Sequence, residues 1–329
     1  MKKKIALLAL AGVFAAGIAY GSAFRVPEQS INSTALAGAY IANANGADAS
    51  YFNPANMSWA EDRWQVEADL TYINLPHINY EDNRSSFFDG SSDTENFFLP
   101  QLHVVSKAYN NLRFGFSLTV PFGLSKKWDE PFPAVYAKEF TLEVIEANPT
   151  VAYKVNNKMS FGAGIRILKA DGKVKSTATP PFSGPLSLLS RDLDGDTIEL
   201  GYNLAMTVKP IDKWTLAATY RSRVDLNLDG SATLVSQSLI PALNGLYDGD
   251  AEVTVVTPAV LSIGTSYSFD KTTVELTWDR TYWSRYSHLD FDYNGTLHPA
   301  LQVFDDRIDK DWDDADAFRI GITHKCTDK

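Results

Sequence analysis

The chain has 329 residues, 30 Lys and Arg against 40 Asp and Glu for a net charge of −10, and a single cysteine. A strongly acidic chain is repelled by nucleic-acid phosphates, and one cysteine makes no internal disulfide, so nucleic-acid binding and a disulfide-stapled secreted scaffold are both set aside. Aromatic residues make up 12% of the chain, yet after residue 23 no run of about 18 apolar residues occurs, which excludes helical membrane spans and leaves spanning strands open.

Met1 to Ala23 begins with Lys2, Lys3 and Lys4, stays apolar from Ile5 to Ile18 and closes on Gly21 and Ala23. That is the pattern of a secretory signal peptide cut before Phe24, which predicts an exported chain. Residues 24–60 are small, nearly uncharged and turn-prone. Asn53 reads as a helix N-cap with Pro54 in the first turn, where its missing N–H costs nothing. With few Leu, Ile and Val, this segment makes no core alone and must pack on something else to offset its lost entropy. It is expected as a hatch inside the strands that follow, with Asn53, Pro54 and Ala55 near its centre and Phe24 and Val26 at its lumen-facing start. A disordered N-terminal arm is the bland alternative.

From residue 61 the pattern has period two. Trp64, Val66, Ala68, Leu70 and Tyr72 alternate with Gln65, Glu67, Asp69 and Thr71, an apolar-out, polar-in strand long enough to cross a bilayer when tilted. Similar strands are predicted at 96–106, 112–122, 140–155, 159–174, 197–209, 214–227, 251–269, 272–287 and 315–325, which makes about ten. Short turns at 108–111, 156–158, 210–213 and 270–271 alternate with long loops at 76–95, 123–139, 170–196, 228–250 and 288–314. An outer-membrane barrel sorts its connections this way, with the short turns periplasmic, and a soluble sandwich has no reason to. Residues 61–329 are therefore read as an antiparallel transmembrane β-barrel, all-β in class.

Two of the long loops are apolar where a secreted loop should be polar. One carries Phe182, Leu186, Leu188 and Leu189. In the other, Leu239, Leu243 and Leu246 sit at i, i+4 and i+7 with Ile240 alongside, a spacing that predicts one helical stripe. Together they are the expected outer binding groove, against the plainer reading that they pack on each other as a cap. Asp192 to Asp196 resembles a calcium loop, but its Gly195 comes too early for that order. The acidic tract Asp305 to Asp316 reads as a solvated loop. The histidines are scattered without metal-ligand spacing and no Gly-x-Ser-x-Gly elbow occurs, so no enzyme, metal or cofactor is expected.

Phe24-Arg-Val-Pro-Glu-Gln-Ser30, Ala49-Ser-Tyr-Phe-Asn-Pro-Ala55, Val120-Pro-Phe-Gly-Leu124, Asn148-Pro-Thr-Val-Ala-Tyr-Lys154, Tyr220-Arg-Ser-Arg223, Thr257-Pro-Ala259 and Tyr282-Trp-Ser284 recur in order along the mature chain. In that order and spacing the chain resembles the long-chain fatty acid outer-membrane transporters, the FadL-type channels for hydrophobic compounds. The resemblance implies a 14-stranded barrel plugged by an N-terminal hatch, through which fatty acids or hydrocarbons diffuse passively and leave sideways into the membrane. It also implies a monomer in the Gram-negative outer membrane whose partners are the ligand, outer-membrane lipid and lipopolysaccharide, and the outer-membrane assembly machinery. Ten strands fall short of fourteen, so the barrel is expected to be incomplete at its C-terminal end, C-shaped, with the strands near Trp64 and Phe318 unpaired. A general porin and a structural or adhesive barrel are the two rival readings.

Overall fold

The computed structural model describes residues 23–326. The signal peptide read over residues 1–23 lies, apart from Ala23, outside the described residues. The N-terminal segment forms α1 (Ile31–Ala35), α2 (Ala49–Phe52) and a 3-10 turn over Pro54–Trp59. The Ser30 side chain caps α1 by accepting from the Ser33 N–H, and Asn53 caps the 3-10 turn by accepting from the Ala55 N–H at 3.1 Å, with Pro54 in its first position.

The strands are β1 (Gln65–Leu75), β2 (Asn79–Tyr80), β3 (Gly90–Ser91), β4 (Glu95–Val105), β5 (Leu112–Lys127), β6 (Glu139–Asn156), β7 (Met159–Ala178), β8 (Leu188–Ile211) and β9 (Trp214–Arg221). They continue with β10 (Val224–Gln237), β11 (Gly245–Thr257), β12 (Val260–Phe269), β13 (Thr272–Thr281), β14 (His288–Leu289), β15 (Phe291–Tyr293), β16 (Ile308–Asp309) and β17 (Ala315–His324). A short helix α3 (Ala134–Ala137) lies between β5 and β6. The main sheet runs β1-β4-β5-β6-β7-β8-β9-β12-β13-β17, ten strands in antiparallel order. Among the described residues β1 pairs only with β4 and β17 only with β13, so the array is open between β1 and β17.

Alternation explains why these segments are strands and which way they face. On the outside stand Val66, Leu70 and Tyr72 of β1, Ile198, Leu200 and Leu204 of β8, and Phe318, Ile320 and Ile322 of β17, all exposed. On the inside stand small or polar groups such as Ser117, Asn148, Ser160, Asn203 and Thr207. The pattern is inverted relative to a water-soluble sheet, as a lipid-facing wall requires. No helix among the described residues is long and apolar enough to cross a membrane.

Two of the predicted strands are broken. The stretch 214–227 divides into β9 and β10 at residues 222–223, and 251–269 divides into β11 and β12 at Pro258, which has no N–H to give a ladder. At the same level β8 keeps β7 but has no ladder on its other side: its ladder to β9 ends at Asn203 and its ladder to β10 begins at Asp196. The long loops predicted at 170–196 and 228–250 are mostly strand, since β7, β8, β10 and β11 rise well past the membrane wall. Their inward positions, Leu193, Leu226, Leu228, Ala232 and Leu234, alternate with Asp and Ser, and glycines at the crossing blurred the pattern. Gly195 lies in register between Gly172 and Gly230, and a Cβ there would stand 3.0 Å from the Asp229 carbonyl oxygen. Only glycine lets β8 and β10 approach so closely.

Candidate functional site

The lumen has two layers of opposite chemistry. The outer layer is an apolar cluster built from Leu142, Val144, Leu168, Leu193, Leu226 and Leu234 of the wall and Trp283, Leu289, Phe291, Leu301 and Phe304 of the loop between β13 and β17. Phe24 closes it from below. Its ring stands 4.9 Å from Trp283, 6.0 Å from Phe122, 6.2 Å from Tyr286 and 6.3 Å from Trp312, centroid to centroid, mostly in edge or tilted geometry. Burial alone pushes the Tyr286 phenol up to about 12, so it is neutral. Trp283 Nε1 is buried with no hydrogen-bond partner. A pocket beside the cluster, lined by Leu142, Leu193, Leu228 and Phe291, holds about 40 Å³, and a wider polar one of about 730 Å³ opens next to it, lined by Thr141, Asp171, Lys173, Asp194 and Ser231. The first is too small for a fatty acid, so a ligand that enters the apolar cluster displaces side chains there.

Beneath lies a charged and hydrogen-bonded layer shared between wall and N-terminal segment. Glu146, wholly buried, accepts from Arg166 at 2.8 and 2.9 Å and from Arg221, while Arg166 also donates to the Ser222 carbonyl at 2.5 Å. The Arg221 guanidinium lies 4.2 Å from the Tyr51 ring centre. Asn53 Nδ2 donates to the Ile41 carbonyl at 2.8 Å and to Thr207 Oγ1 at 2.9 Å, and Ser160 Oγ donates to the Ala55 carbonyl at 2.8 Å. The N–H groups of Ile41, Ala42 and Asn43 all donate to the Glu275 carboxylate, at 2.7, 2.6 and 3.0 Å. Pro54 and Ala55 are buried against β7, where the Gly162 backbone passes close to them.

A third feature is a gap in the wall. The ladder between β4 and β5 covers only Leu102–Val105 against Gly115–Leu118, and above it β5 bends away. There the N-terminal segment replaces β4 as the partner of β5. Val26 N–H donates to the Pro121 carbonyl at 2.9 Å, Gly123 N–H to the Phe24 carbonyl at 3.0 Å, and the Gln29 side-chain amide bridges both backbone groups of Val120 at 2.9 Å. Outside this seam lies a cavity of about 360 Å³ lined by Val26, Leu75, Phe97, Leu99, Gly123 and Ile145.

Of the loop residues singled out from the sequence, Phe182 stacks on Phe87 at 5.4 Å and Leu186 is buried, while Leu188 and Leu189 begin β8. The helical stripe expected through Leu239, Leu243 and Leu246 does not form. Leu239 is 99% exposed, Leu243 ends a 3-10 turn over Pro241–Leu243, and Leu246 stands on the outer face of β11 with Ile240 exposed beside the turn. Residues 238–244 reverse the chain between β10 and β11, which leaves no length for a helix. The two loops do meet, through the Ser238 hydroxyl to the Pro185 carbonyl at 3.0 Å.

The sequence reading missed the loop at 282–304. Leu297, Leu301 and Phe304 have the same i, i+4, i+7 spacing as the leucines that were chosen, and they are 7%, 0% and 9% exposed, inside the lumen. Their signal was there, masked by the aspartates around them. No metal-binding group of His, Cys, Asp or Glu occurs among the described residues.

A model of the family described as outer membrane protein transport protein (OMPP1/FadL/TodX) matches residues 12–329. Outer membrane protein P1 of Haemophilus influenzae is 24% identical over 350 residues, covering 92% of this chain and 74% of that protein. A long-chain fatty acid transport protein of Escherichia coli O6:H1 is 27% identical over 270 residues, covering 73% of this chain and 58% of that protein. Among solved structures, a Pseudomonas aeruginosa FadL homologue superposes with a TM-score of 0.79 at 19% identity, over 93% of this chain and 78% of that one. The Ralstonia pickettii toluene transporter TbuX gives 0.70 at 17% identity, over 90% and 83%. An inverted, lipid-facing barrel wall around an N-terminal segment and a family match along nearly the whole chain agree: this protein belongs to the OMPP1/FadL/TodX family of outer-membrane transport proteins.

Proposed function

We propose that the chain is a passive channel for hydrophobic small molecules, fatty acids or hydrocarbons, which enter the apolar cluster from the loop side and leave sideways between β4 and β5. The observation that carries this reading is Phe24. Its ring occupies the aromatic cage while its carbonyl, with Val26 and Gln29, closes the edge of β5 at the gap. A ligand that takes the cage displaces Phe24, and with it the segment that seals the wall. The route onward through the polar layer is disfavoured, because apolar surface moved from the cluster to that layer forfeits about 25 cal/mol per Å². A water-filled porin fits less well with a lumen crossed by residues 24–60 and by the apolar 282–304 loop.

Gly123 tests the exit. It lines the gap, and the nearest atom to a Cβ built there is the Leu142 carbonyl oxygen at 3.8 Å, so a large side chain fits and fills the opening. The Gly123→Trp variant is expected to bind a fluorescent fatty acid like the parent but to take up radiolabelled oleate about tenfold more slowly, the effect of roughly 1.4 kcal/mol of added barrier. Unchanged uptake with the gap filled would overturn the lateral route.

A further inference from the structure

The two rims of the barrel carry opposite charge. Residues 106–111, 154–158, 209–213 and 270–271 make the short turns and hold six lysines against Asp212 and Asp270. Glu61, Asp62 and Arg63 at the foot of β1 share this rim, which leaves it net positive. The long connections 76–94, 128–138 and 282–314 hold fourteen acidic against five basic residues. A chain that is acidic overall has thus gathered cations at one end, where they repel one another.

The lysines also stand at a defined height. Tyr109, Tyr153, Trp214, Tyr267 and Phe269 are exposed on the lipid-facing side just inside these turns, the position of an interfacial aromatic girdle. Lys107 places its ammonium 5.7 Å from the Tyr109 ring centre, and Lys209 sits 4.4 Å from that of Trp59. Lys107, Lys158 and Lys213 are exposed, and among the described residues none of them, nor Lys154, is ion-paired. Lysines one step beyond a girdle are within reach of the lipid headgroup phosphates.

We infer that this rim is a binding surface for anionic phospholipid headgroups of the periplasmic leaflet. The acidic rim at the other end repels the same headgroups, so the charge asymmetry also sets which end of the barrel faces that leaflet. The contact is electrostatic and independent of the ligand route.

The test uses the full chain in phosphatidylcholine vesicles doped with brominated phosphatidylglycerol or brominated phosphatidylcholine, with tryptophan quenching as the readout. Brominated phosphatidylglycerol should be preferred by roughly fivefold, the ratio that one lysine–headgroup contact supplies. The preference should vanish in about 1 M salt and in the combined Lys107→Gln, Lys154→Gln, Lys158→Gln and Lys213→Gln variant. A Lys173→Gln, Lys175→Gln variant, changed near the opposite rim, should keep it. Equal quenching by the two lipids, or a preference that survives the four-lysine variant or is lost in the control, overturns the proposal.

Discussion

Glu146 holds two arginines in a place without solvent, and the three charges are worth more as a set than any of them alone. Glu146→Gln leaves two buried guanidiniums facing one neutral amide. It should destabilise the fold by about 3–5 kcal/mol, as removal of one partner of a buried pair does. A lowered denaturant midpoint at unchanged slope is the check. Phe24 predicts the opposite kind of effect. The ring fills the cage that a ligand is proposed to take, so Phe24→Ala removes a competitor. The apparent affinity for a fluorescent fatty acid should rise by the fraction of time the cage was occupied, read as a lower Kd at constant stoichiometry.

Among the elements, the hairpin of β10 and β11 was the least expected. It leaves the barrel at the Arg221–Val224 and Thr257–Val260 breaks, presents its leucine-bearing tip to solvent and rejoins β8 through residues 188–196. The tip is a candidate for the first contact with ligand. Replacing the exposed Leu239 and the half-buried Leu243 with Asp should leave the fold intact, at about 0.5 kcal/mol or less for the exposed position, and should weaken capture of a fluorescent fatty acid. Capture equal to the parent's would exclude the tip. Where β8 is laddered to β7 alone, between residues 197 and 201, its amides that point away from β7 should exchange faster in micelles than those of the stretch of β7 beside it, which is paired on both sides.

For the whole molecule the governing feature is the opening between β1 and β17. Each edge leaves a row of backbone groups without ladder partners, costly in lipid at several kcal/mol per group. Between them α1 is uncovered, with Ile31 67% exposed. Hydrogen exchange should therefore find the amides of β1 and β17 among the least protected of the wall strands, and those of β6 and β7, paired on both sides, among the most protected. A protected β1 would mean that its free edge finds a partner.

The chain's own sequence determined the wall and its orientation, because period-two alternation with apolar residues outward is a local property repeated in every strand, and connection length sorts the two rims. It also determined the local form of residues 49–59, since the Asn53 cap and Pro54 act within one turn. What filled the lumen was decided by tertiary structure. Leu239, Leu243 and Leu246 share their spacing with Leu297, Leu301 and Phe304, yet in the first set Leu239 and Leu246 stand in solvent with Leu243 half-buried, and the second set is buried. Spacing states which residues share a face, and only the path of the surrounding strands states whether that face meets water or the barrel. The Glu146, Arg166 and Arg221 cluster was likewise illegible, for its members come from β6, β7 and β9 and meet only when the sheet curls.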